Sequence, residues 1–272
     1  MDTGTSLTCL GTAIGGAKIL EKILGPTADY IGEQLKEWTV KKVTNISNIF
    51  KNAERKLGEK LEEEGGVPSK ILKSILEDGA WCEEALQVEY FGGVLASSRT
   101  GITRDDRGAY FASLISRLST YQLRTHYLLY HEIKKLYDGQ SININESDKW
   151  IDLQTFISFH TFLNAMGFSD DEYCRWEIFL SHVLWGLSKE ELITGFSWGN
   201  KDRIIKTFPQ THCGGVLFNP TKIGAELFMW AYGYGQFDVN DFFNPNIHFP
   251  NEHEVEIGKA ISTKKVNYDK EI

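Results

Sequence analysis

The sequence lacks the short motifs that mark several common active sites. It contains no GxxxxGK[ST] phosphate-binding loop and no HExxH zinc motif. The glycines Gly11, Gly15 and Gly16 do not form a GxGxxG dinucleotide fingerprint, because no predicted strand precedes them. His212 and Cys213 are adjacent, but neighbours on a strand point to opposite faces, so they make a poor base and nucleophile. We therefore predict a protein that is not an enzyme, with no catalytic residues, no cofactor and no metal.

Cysteine and basic residues are both scarce. The four cysteines, Cys9, Cys82, Cys174 and Cys213, form no CxxC pair, which argues against a structural zinc or a disulfide framework and favours free thiols in a reducing cytoplasm. The 29 Lys and Arg residues are outnumbered by 37 Asp and Glu residues, giving a net charge of −8. An acidic protein is repelled by the phosphate backbone unless its cations gather on one face. Broad nucleic-acid binding is thus disfavoured, whereas a local basic patch stays open.

A long uninterrupted apolar run is also missing. Residues 7–24 (LTCLGTAIGGAKILEKIL) are apolar, but charged side chains interrupt their second half, whereas a spanning helix needs about 20 predominantly apolar residues. We predict an amphipathic helix within residues 1–25, whose Gly11, Gly15 and Gly16 contact another helix or a membrane. Because the start lacks a signal-peptide pattern, we expect a cytoplasmic protein, with peripheral contact at the inner membrane as an open alternative.

Helical periodicity is what the sequence has in abundance. From Thr27 to about Lys60, apolar residues recur at three- and four-residue steps, which predicts one helix roughly 50 Å long. Acidic side chains at i,i+4 spacing can neutralise its cations, so we favour a solvated face. The alternative is a basic contact face for anionic lipid or RNA, formed by Lys41, Lys42, Lys51 and Arg55.

Further helices are expected beyond the break at 62–66. Ser119 is the predicted N-cap of one of them, and the Gly92-Gly93 pair inside another predicts close backbone packing. The polar segment 139–148 predicts a domain boundary, so that 26–138 and 149–243 form two helical domains and 244–272 forms a loosely ordered tail. The predicted helices lie near residues 67–79, 83–98, 107–118, 120–136, 150–166 and 170–187.

The pattern changes from helical to extended near residue 203. Arg203–Phe208 and Val216–Phe218 flank Gly214-Gly215 and predict a β-hairpin over 203–218. A helix then begins at Pro220-Thr221, so the module is winged-helix-like within a mainly α fold. Because this last helix carries only Lys222 as a cation, we expect it to serve core packing or protein contact rather than base readout.

Several segments together resemble the Abi-alpha (DUF4393) family of abortive-infection proteins. The matching segments are LGPTADYIGEQLKEW (24–38), VPSKILKSILEDGAWCEEALQVEYFGGVLASS (67–98), RLSTYQLRTHYLLY (117–130) and NPTKIGAELF (219–228). The family name implies a role in abortive phage infection, in which an infected cell arrests or dies and so limits phage spread. The resemblance implies no catalytic residues.

Two functions are consistent with these features. The first is a non-enzymatic intracellular antiphage effector or regulator that acts through contact with a protein partner, through self-association or through a membrane. The alternative is a nucleic-acid-binding regulator that uses the winged-helix-like module and the Lys-rich helix.

Overall fold

A computed structural model describes Lys22, residues 40–250 and residues 260–262 of the chain. Among these residues the fold is mainly α-helical with one small antiparallel sheet, so the predicted fold class is confirmed. The described chain divides into two compact units. Unit 1 runs to Leu118 and also contains Met229–Phe237, while unit 2 contains Ser119–Phe228 and the described residues from Asp238 onward.

The division between the units does not follow the predicted domain boundary at 139–148. It falls between Leu118 and Ser119, because the helix that begins at Thr120 packs against helices that follow the polar segment. The segments before and after the polar loop at 139–148 therefore belong to the same hydrophobic core.

Unit 1 is built mainly from helices α1 (Val40–Leu57), α2 (Ser69–Gly79), α3 (Ala85–Ser98) and α4 (Gly108–Arg117), with a 3-10 helix at Gly58–Glu62. The long helix predicted to reach about Lys60 ends at Leu57, and its part before Val40 lies outside the described residues. Gly58, at φ +52°, follows its last residue, and a left-handed glycine at this position commonly ends a helix.

Helix α3 is buried on nearly all sides, because glycine stands where two other backbones approach it. A Cβ added at Gly92 would lie 3.0 Å from the Ile49 carbonyl oxygen of α1, and one added at Gly93 would lie 1.8 Å from the Ala231 carbonyl oxygen. The close packing predicted from this glycine pair is confirmed.

Unit 2 begins with α5 (Thr120–Tyr137), and Ser119 caps it as predicted. The Ser119 side chain accepts from the Gln122 N–H, and the Gln122 side chain accepts from the Ser119 N–H, which forms a capping box. The remaining elements are a 3-10 helix (Ser147–Leu153), β1 (Thr155–Ser158), α6 (Phe159–Met166), α7 (Asp170–Tyr173), α8 (Trp176–Lys189), β2 (Ile193–Gly199), α9 (Lys201–Ile204), β3 (Gly215–Pro220), α10 (Lys222–Ala231), a 3-10 helix (Val239–Phe243) and β4 (Ile261–Ser262).

The sheet of unit 2 has the strand order β2-β3-β1-β4, with antiparallel pairing throughout. Apart from the short helices α7 and α9, the succession α5, β1, α6, α8, β2, β3, with β3 between β1 and β2, resembles that of a winged helix. In this arrangement α6 and α8 form the helix-turn-helix, α8 takes the place of the recognition helix, and the residues between β2 and β3 form the wing.

The predicted hairpin exists, but its predicted bounds were wrong. Its first strand is Ile193–Gly199, and Arg203–Phe208 instead forms α9 and the turn that follows it. The Asn200 side chain caps α9 by accepting from the Arg203 N–H. Ile204 and Phe208, four residues apart, both pack into a cluster with Phe156 and Leu217, which is helical rather than extended spacing.

Three further segments differ from the expectation, and in the first of them the predicted helix 170–187 is divided by a turn at 174–175 into α7 and α8. The stretch 150–166 is not one helix, because Thr155–Ser158 pairs with β3 as strand β1. The tail predicted to be loosely ordered contributes strand β4, whose Ile261 and Ser262 pair with Phe156 and Thr155. The pairing satisfies the backbone groups of β1 on the side away from β3.

Buried polar contacts from α5 hold both ends of the wing in unit 2. The Tyr130 hydroxyl donates to the Leu192 carbonyl, at an O···O distance of 2.6 Å, and accepts from the Thr221 N–H at 3.0 Å. His126, one turn earlier and fully buried, lies with Nε2 3.0 Å from the Gly224 carbonyl oxygen. The start of β2 and the start of α10 are thereby fixed to the same helix.

Candidate nucleic-acid interface

An open cleft of about 810 Å³ lies between the start of α8 and the wing. Three aromatic side chains line it, Phe159 from the start of α6, Trp176 from the start of α8 and Trp198 from the end of β2. The Phe159 and Trp176 rings lie 4.9 Å apart between centroids. We call this space the wing cleft.

Local backbone contacts position the two aromatic residues on the helix side of the wing cleft. Ser158 caps α6 through the Thr161 N–H, and the Phe159 N–H donates to the Gly214 carbonyl at 3.1 Å. Before α8, the Glu172 side chain closes a capping box with Ser169 and accepts from the Tyr121 hydroxyl of α5. That hydroxyl hydrogen bond is the main cause that lowers the pKa of the Glu172 carboxyl, so the turn before Trp176 is tied to α5 by an ionised carboxylate.

Two glycines, Gly199 and Gly214, are among the residues that line the wing cleft. A Cβ at Gly214 would lie 2.7 Å from the Gly199 carbonyl oxygen, so the backbones of the two strand ends touch. A Cβ at Gly199 would lie 2.5 Å from Cδ of Arg203, which places the Arg203 side chain across the bare backbone. The absence of side chains at these positions keeps the cleft open beside the guanidinium.

Cations accompany the aromatic side chains along the wing. Lys201 and Arg203 line the wing cleft, and Arg203 and Lys206 line a neighbouring hollow of about 600 Å³. All three side chains are exposed, and among the described residues none of them forms an ion pair. Glu177 lines the cleft as well and Asp202 the hollow, so the surface is locally basic but not uniformly so.

A row of aromatic side chains extends from the wing cleft along β2. Phe196 and Trp198 stand two residues apart on one face of the strand, with ring planes 11° apart and centroids 5.9 Å apart. Trp185 of α8 meets Phe196 edge-on at 5.1 Å and is 62% exposed. We call Trp185, Phe196 and Trp198 the aromatic ridge, and Trp198 belongs to both features.

The predicted basic contact face lies on α1 in unit 1, where two of its four cations are engaged by neighbours. The Lys42 ammonium lies 3.7 Å from the centroid of the Trp81 ring. Arg55 Nη2 donates to Glu89 Oε1 at 2.7 Å, and Lys56 pairs with the same carboxylate. Lys41 and Lys51 are exposed.

The other predicted contact residues divide between core and undescribed chain. Gly11, Gly15 and Gly16 lie outside the described residues. On α10, Lys222 pairs with Glu226 at 3.7 Å, and Leu227 and Phe228 are fully buried. The helix after the wing therefore packs into the core, which is one of the two roles expected for it, the other being protein contact.

One short catalytic motif is present in the sequence. Residues 195–199 read GFSWG and fit the GxSxG pattern of a nucleophile elbow. The structure places Ser197 inside β2, paired with Leu217, whereas a nucleophile elbow is a sharp turn between a strand and a helix. Among the described residues no histidine hydrogen-bonds Ser197, so the match carries no hydrolase geometry.

Of the described cysteines, Cys82 is buried, whereas Cys174 and Cys213 are exposed. Burial raises the pKa of the Cys82 thiol to about 12, which keeps this thiol protonated and unreactive. In the part of the chain that the structure describes, no three His, Cys, Asp or Glu side chains group in a way that could hold a metal ion. Within the same residues no helix is long and apolar enough to cross a membrane.

Comparisons with protein-family models, with curated proteins and with solved structures returned no match. The resemblance to the Abi-alpha family therefore stays a prediction.

The sequence did not predict the residues of the wing cleft. The reason is that Arg203–Phe208 was predicted to be the first strand of the hairpin, whereas that strand is Ile193–Gly199. The alternation Phe196-Ser-Trp198 followed by Lys201, Arg203 and Lys206 was the signal that could have revealed them.

Proposed function

We propose that the protein is a nucleic-acid-binding regulator and that it binds its ligand in the wing cleft of unit 2. The observation that carries the proposal is the meeting of Phe159, Trp176 and Trp198 with the exposed cations Lys201 and Arg203 in one open cleft. Aromatic faces stack on bases, and cations neutralise phosphates, so the two kinds of side chain together match a nucleotide chain. The position agrees with the fold, since winged helices present this edge of the helix-turn-helix and the wing to nucleic acid.

The charge balance of the chain sets the expected strength of binding. With a net charge of −8, long-range steering towards phosphate is unfavourable, and the local cations must supply the attraction. Three phosphate contacts would make affinity fall roughly 20- to 40-fold between 50 and 200 mM salt. Binding is therefore expected to be weak and steeply salt-dependent.

A matched pair of double variants tests the location of binding. Lys201→Gln/Lys206→Gln removes two cations of the wing, and Lys41→Gln/Lys51→Gln removes two exposed cations of the predicted basic face on α1. Fluorescence anisotropy with labelled oligonucleotides of about 12 nucleotides, single-stranded and duplex, is measured across a salt series. We expect the wing variant to flatten the slope of log K against log salt by about 1.5 and the α1 variant to leave it unchanged.

The same experiment can overturn the proposal. Loss of binding in the α1 variant with retention in the wing variant would assign the site to the predicted basic face. Absence of binding to every oligonucleotide at low salt would remove nucleic acid as the ligand.

The physiological setting that we propose is phage defence in the cytoplasm, and the support for it is the resemblance to the Abi-alpha family. Cells expressing the protein are expected to reduce phage plating, and cells expressing Lys201→Gln/Lys206→Gln are expected to do so less. Equal plating with the two proteins would separate the antiphage role from the wing cleft.

A second candidate function is contact with a protein partner, including another copy, or with the inner membrane. The exposure of Ile178 and Trp185 on α8, 68% and 62%, favours it, as does the apolar sequence around Gly11, Gly15 and Gly16. Pelleting of the full chain with anionic vesicles, compared with a chain lacking residues 1–25, tests the membrane version. Recovery of both proteins in the supernatant would end it.

A further inference from the structure

Helix α8 is poorly suited to read a duplex, although it takes the place of a recognition helix. Sequence readout in the major groove uses polar and cationic side chains that reach base edges. The exposed side chains of α8 are Glu177, Ile178, His182, Trp185 and Lys189, and the only Lys or Arg among them, Lys189, lies in the last turn. Because Glu177 lines the wing cleft itself, a phosphate backbone lying along α8 would meet a carboxylate at its first turn.

The aromatic side chains need bases whose faces are free. In a duplex every base face is stacked on its neighbours, whereas single strands can turn their bases outward onto aromatic rings. The aromatic ridge offers Trp185, Phe196 and Trp198 in sequence, and the wing cleft beside Trp198 has the volume of a typical small-molecule site. The surface thus provides a ridge on which bases can stack and one cavity that a base can enter.

The cations follow the same path. Arg203 packs against Gly199, and it lines both the wing cleft and the neighbouring hollow that Lys206 lines. A chain whose base sits against Trp198 therefore places its phosphates beside the guanidinium and the two ammonium groups. Stacking and charge neutralisation are available to the same few nucleotides.

We propose that the wing cleft and the aromatic ridge bind single-stranded nucleic acid, with one base held against Trp198 in the cleft. The inference rests on the proposed function and adds the class of ligand to it. RNA and single-stranded DNA share this chemistry, and the two are separated as arms of the test.

The deciding variant is Trp198→Ala, with Trp198→Phe as the variant that keeps an aromatic face. Trp81→Ala is the matched control, because Trp81 is 69% exposed and lies on unit 1. Anisotropy is measured with four labelled probes of about 12 nucleotides, namely oligo-U, oligo-dT, a duplex, and an abasic strand that keeps the phosphates but has no bases.

We expect oligo-U or oligo-dT to bind at least about tenfold more tightly than the duplex and the abasic strand. Trp198→Ala should weaken binding to the preferred single strand by roughly 5- to 150-fold, the range measured for loss of one stacked base. Trp198→Phe should recover most of that loss, and Trp81→Ala should bind like the wild type. Unchanged thermal unfolding of unit 2 in Trp198→Phe shows that the comparison concerns binding rather than folding.

Failure of this inference differs from failure of the proposed function. If duplex and abasic strand bind as tightly as oligo-U and oligo-dT, and Trp198→Ala and Trp198→Phe change nothing while Lys201→Gln/Lys206→Gln abolishes binding, the site is electrostatic only and the single-strand inference is wrong. If none of the four probes binds at low salt, both proposals fall together. A preference for oligo-U over oligo-dT, or the reverse, names the ligand within the supported class.

Discussion

Replacing Gly93 with alanine is expected to lower the thermal unfolding midpoint of unit 1 by about 2 to 12 °C. The added methyl group would lie 1.8 Å from the carbonyl oxygen of Ala231 and 2.1 Å from its carbonyl carbon. The obstacle is backbone rather than a flexible side chain, so α3 and the segment at Ala231 must move apart. Overpacking of this kind costs about 1–3 kcal/mol, and each kcal/mol shifts the midpoint of a domain of this size by roughly 2–4 °C.

The movement would also disturb two hydrogen bonds nearby. Ser97 Oγ donates to the Trp230 carbonyl at 3.0 Å and accepts from the Gly235 N–H at 3.0 Å. Both bonds lie one turn along α3 from Gly93, so separation of the backbones weakens them as well.

Gly101→Ala is the matched control for Gly93→Ala. An added Cβ at Gly101 meets nothing within 4 Å, and Gly101 does not have a positive φ. Differential scanning calorimetry of the two variants beside the wild type makes the comparison. Equal midpoints for Gly93→Ala and Gly101→Ala would show that the contact between α3 and Ala231 is looser than described.

The stability of unit 2 is expected to fall by about 1 kcal/mol between pH 7.5 and pH 5.5 because of His126 alone. Burial of this fully enclosed ring lowers its pKa from 6.5 to about 3, and the hydrogen bond to the Gly224 carbonyl only partly opposes the change. The folded state therefore keeps the imidazole neutral where the unfolded state protonates it. Since the unfolded state then binds more protons, stability present above pH 6.5 is lost as the pH falls from about 6.5 towards about 3.

Substitution of His126 separates this contribution from that of the carboxylates. His126→Gln retains an N–H donor for Gly224 and removes the titrating ring, so its free energy of unfolding should change less between pH 7.5 and pH 5.5. Tyr130→Phe is the control, because it removes the hydroxyl that contacts Leu192 and Thr221 and leaves His126 in place. Its stability should drop by about 1–3 kcal/mol at both pH values, with the wild-type dependence on pH retained.

Urea unfolding at the two pH values, followed by circular dichroism, measures these differences. If His126→Gln and the wild type lose the same free energy, His126 is not the group that makes unit 2 sensitive to acid. A flat profile for Tyr130→Phe would contradict the argument as well, since that variant keeps the imidazole.

The helices could be predicted from the sequence because their signals act over a few residues. Ser119 and Gln122 form a capping box within one turn. The glycine pair Gly92-Gly93 indicates that another backbone packs closely against the helix, whichever part of the chain that backbone belongs to. Catalytic motifs are local patterns too, so the sequence alone shows which of them are present. The GFSWG match shows that such a pattern carries no catalytic geometry when its serine lies inside a strand.

The sheet and the candidate site depend on residues far apart in the chain. Strand β4 lies in the tail predicted to be loosely ordered, because its partner, β1, lies about a hundred positions earlier in the chain and gives no local signal. Arg203–Phe208 was predicted to be a strand. It forms part of α9 and the following turn instead, because Ile204 and Phe208 both bury against Phe156 and Leu217.

By itself the sequence determined a mainly helical protein, the ends of most helices and the unusual close packing along α3. Only the tertiary structure decided where the wing lies and that Phe159, Trp176 and Trp198, from three separate elements, meet beside Lys201 and Arg203. The physical reason is that helix capping and helical periodicity depend on residues a few positions apart in the chain. Strand pairing and the walls of a cleft depend instead on which distant segments pack into the same core.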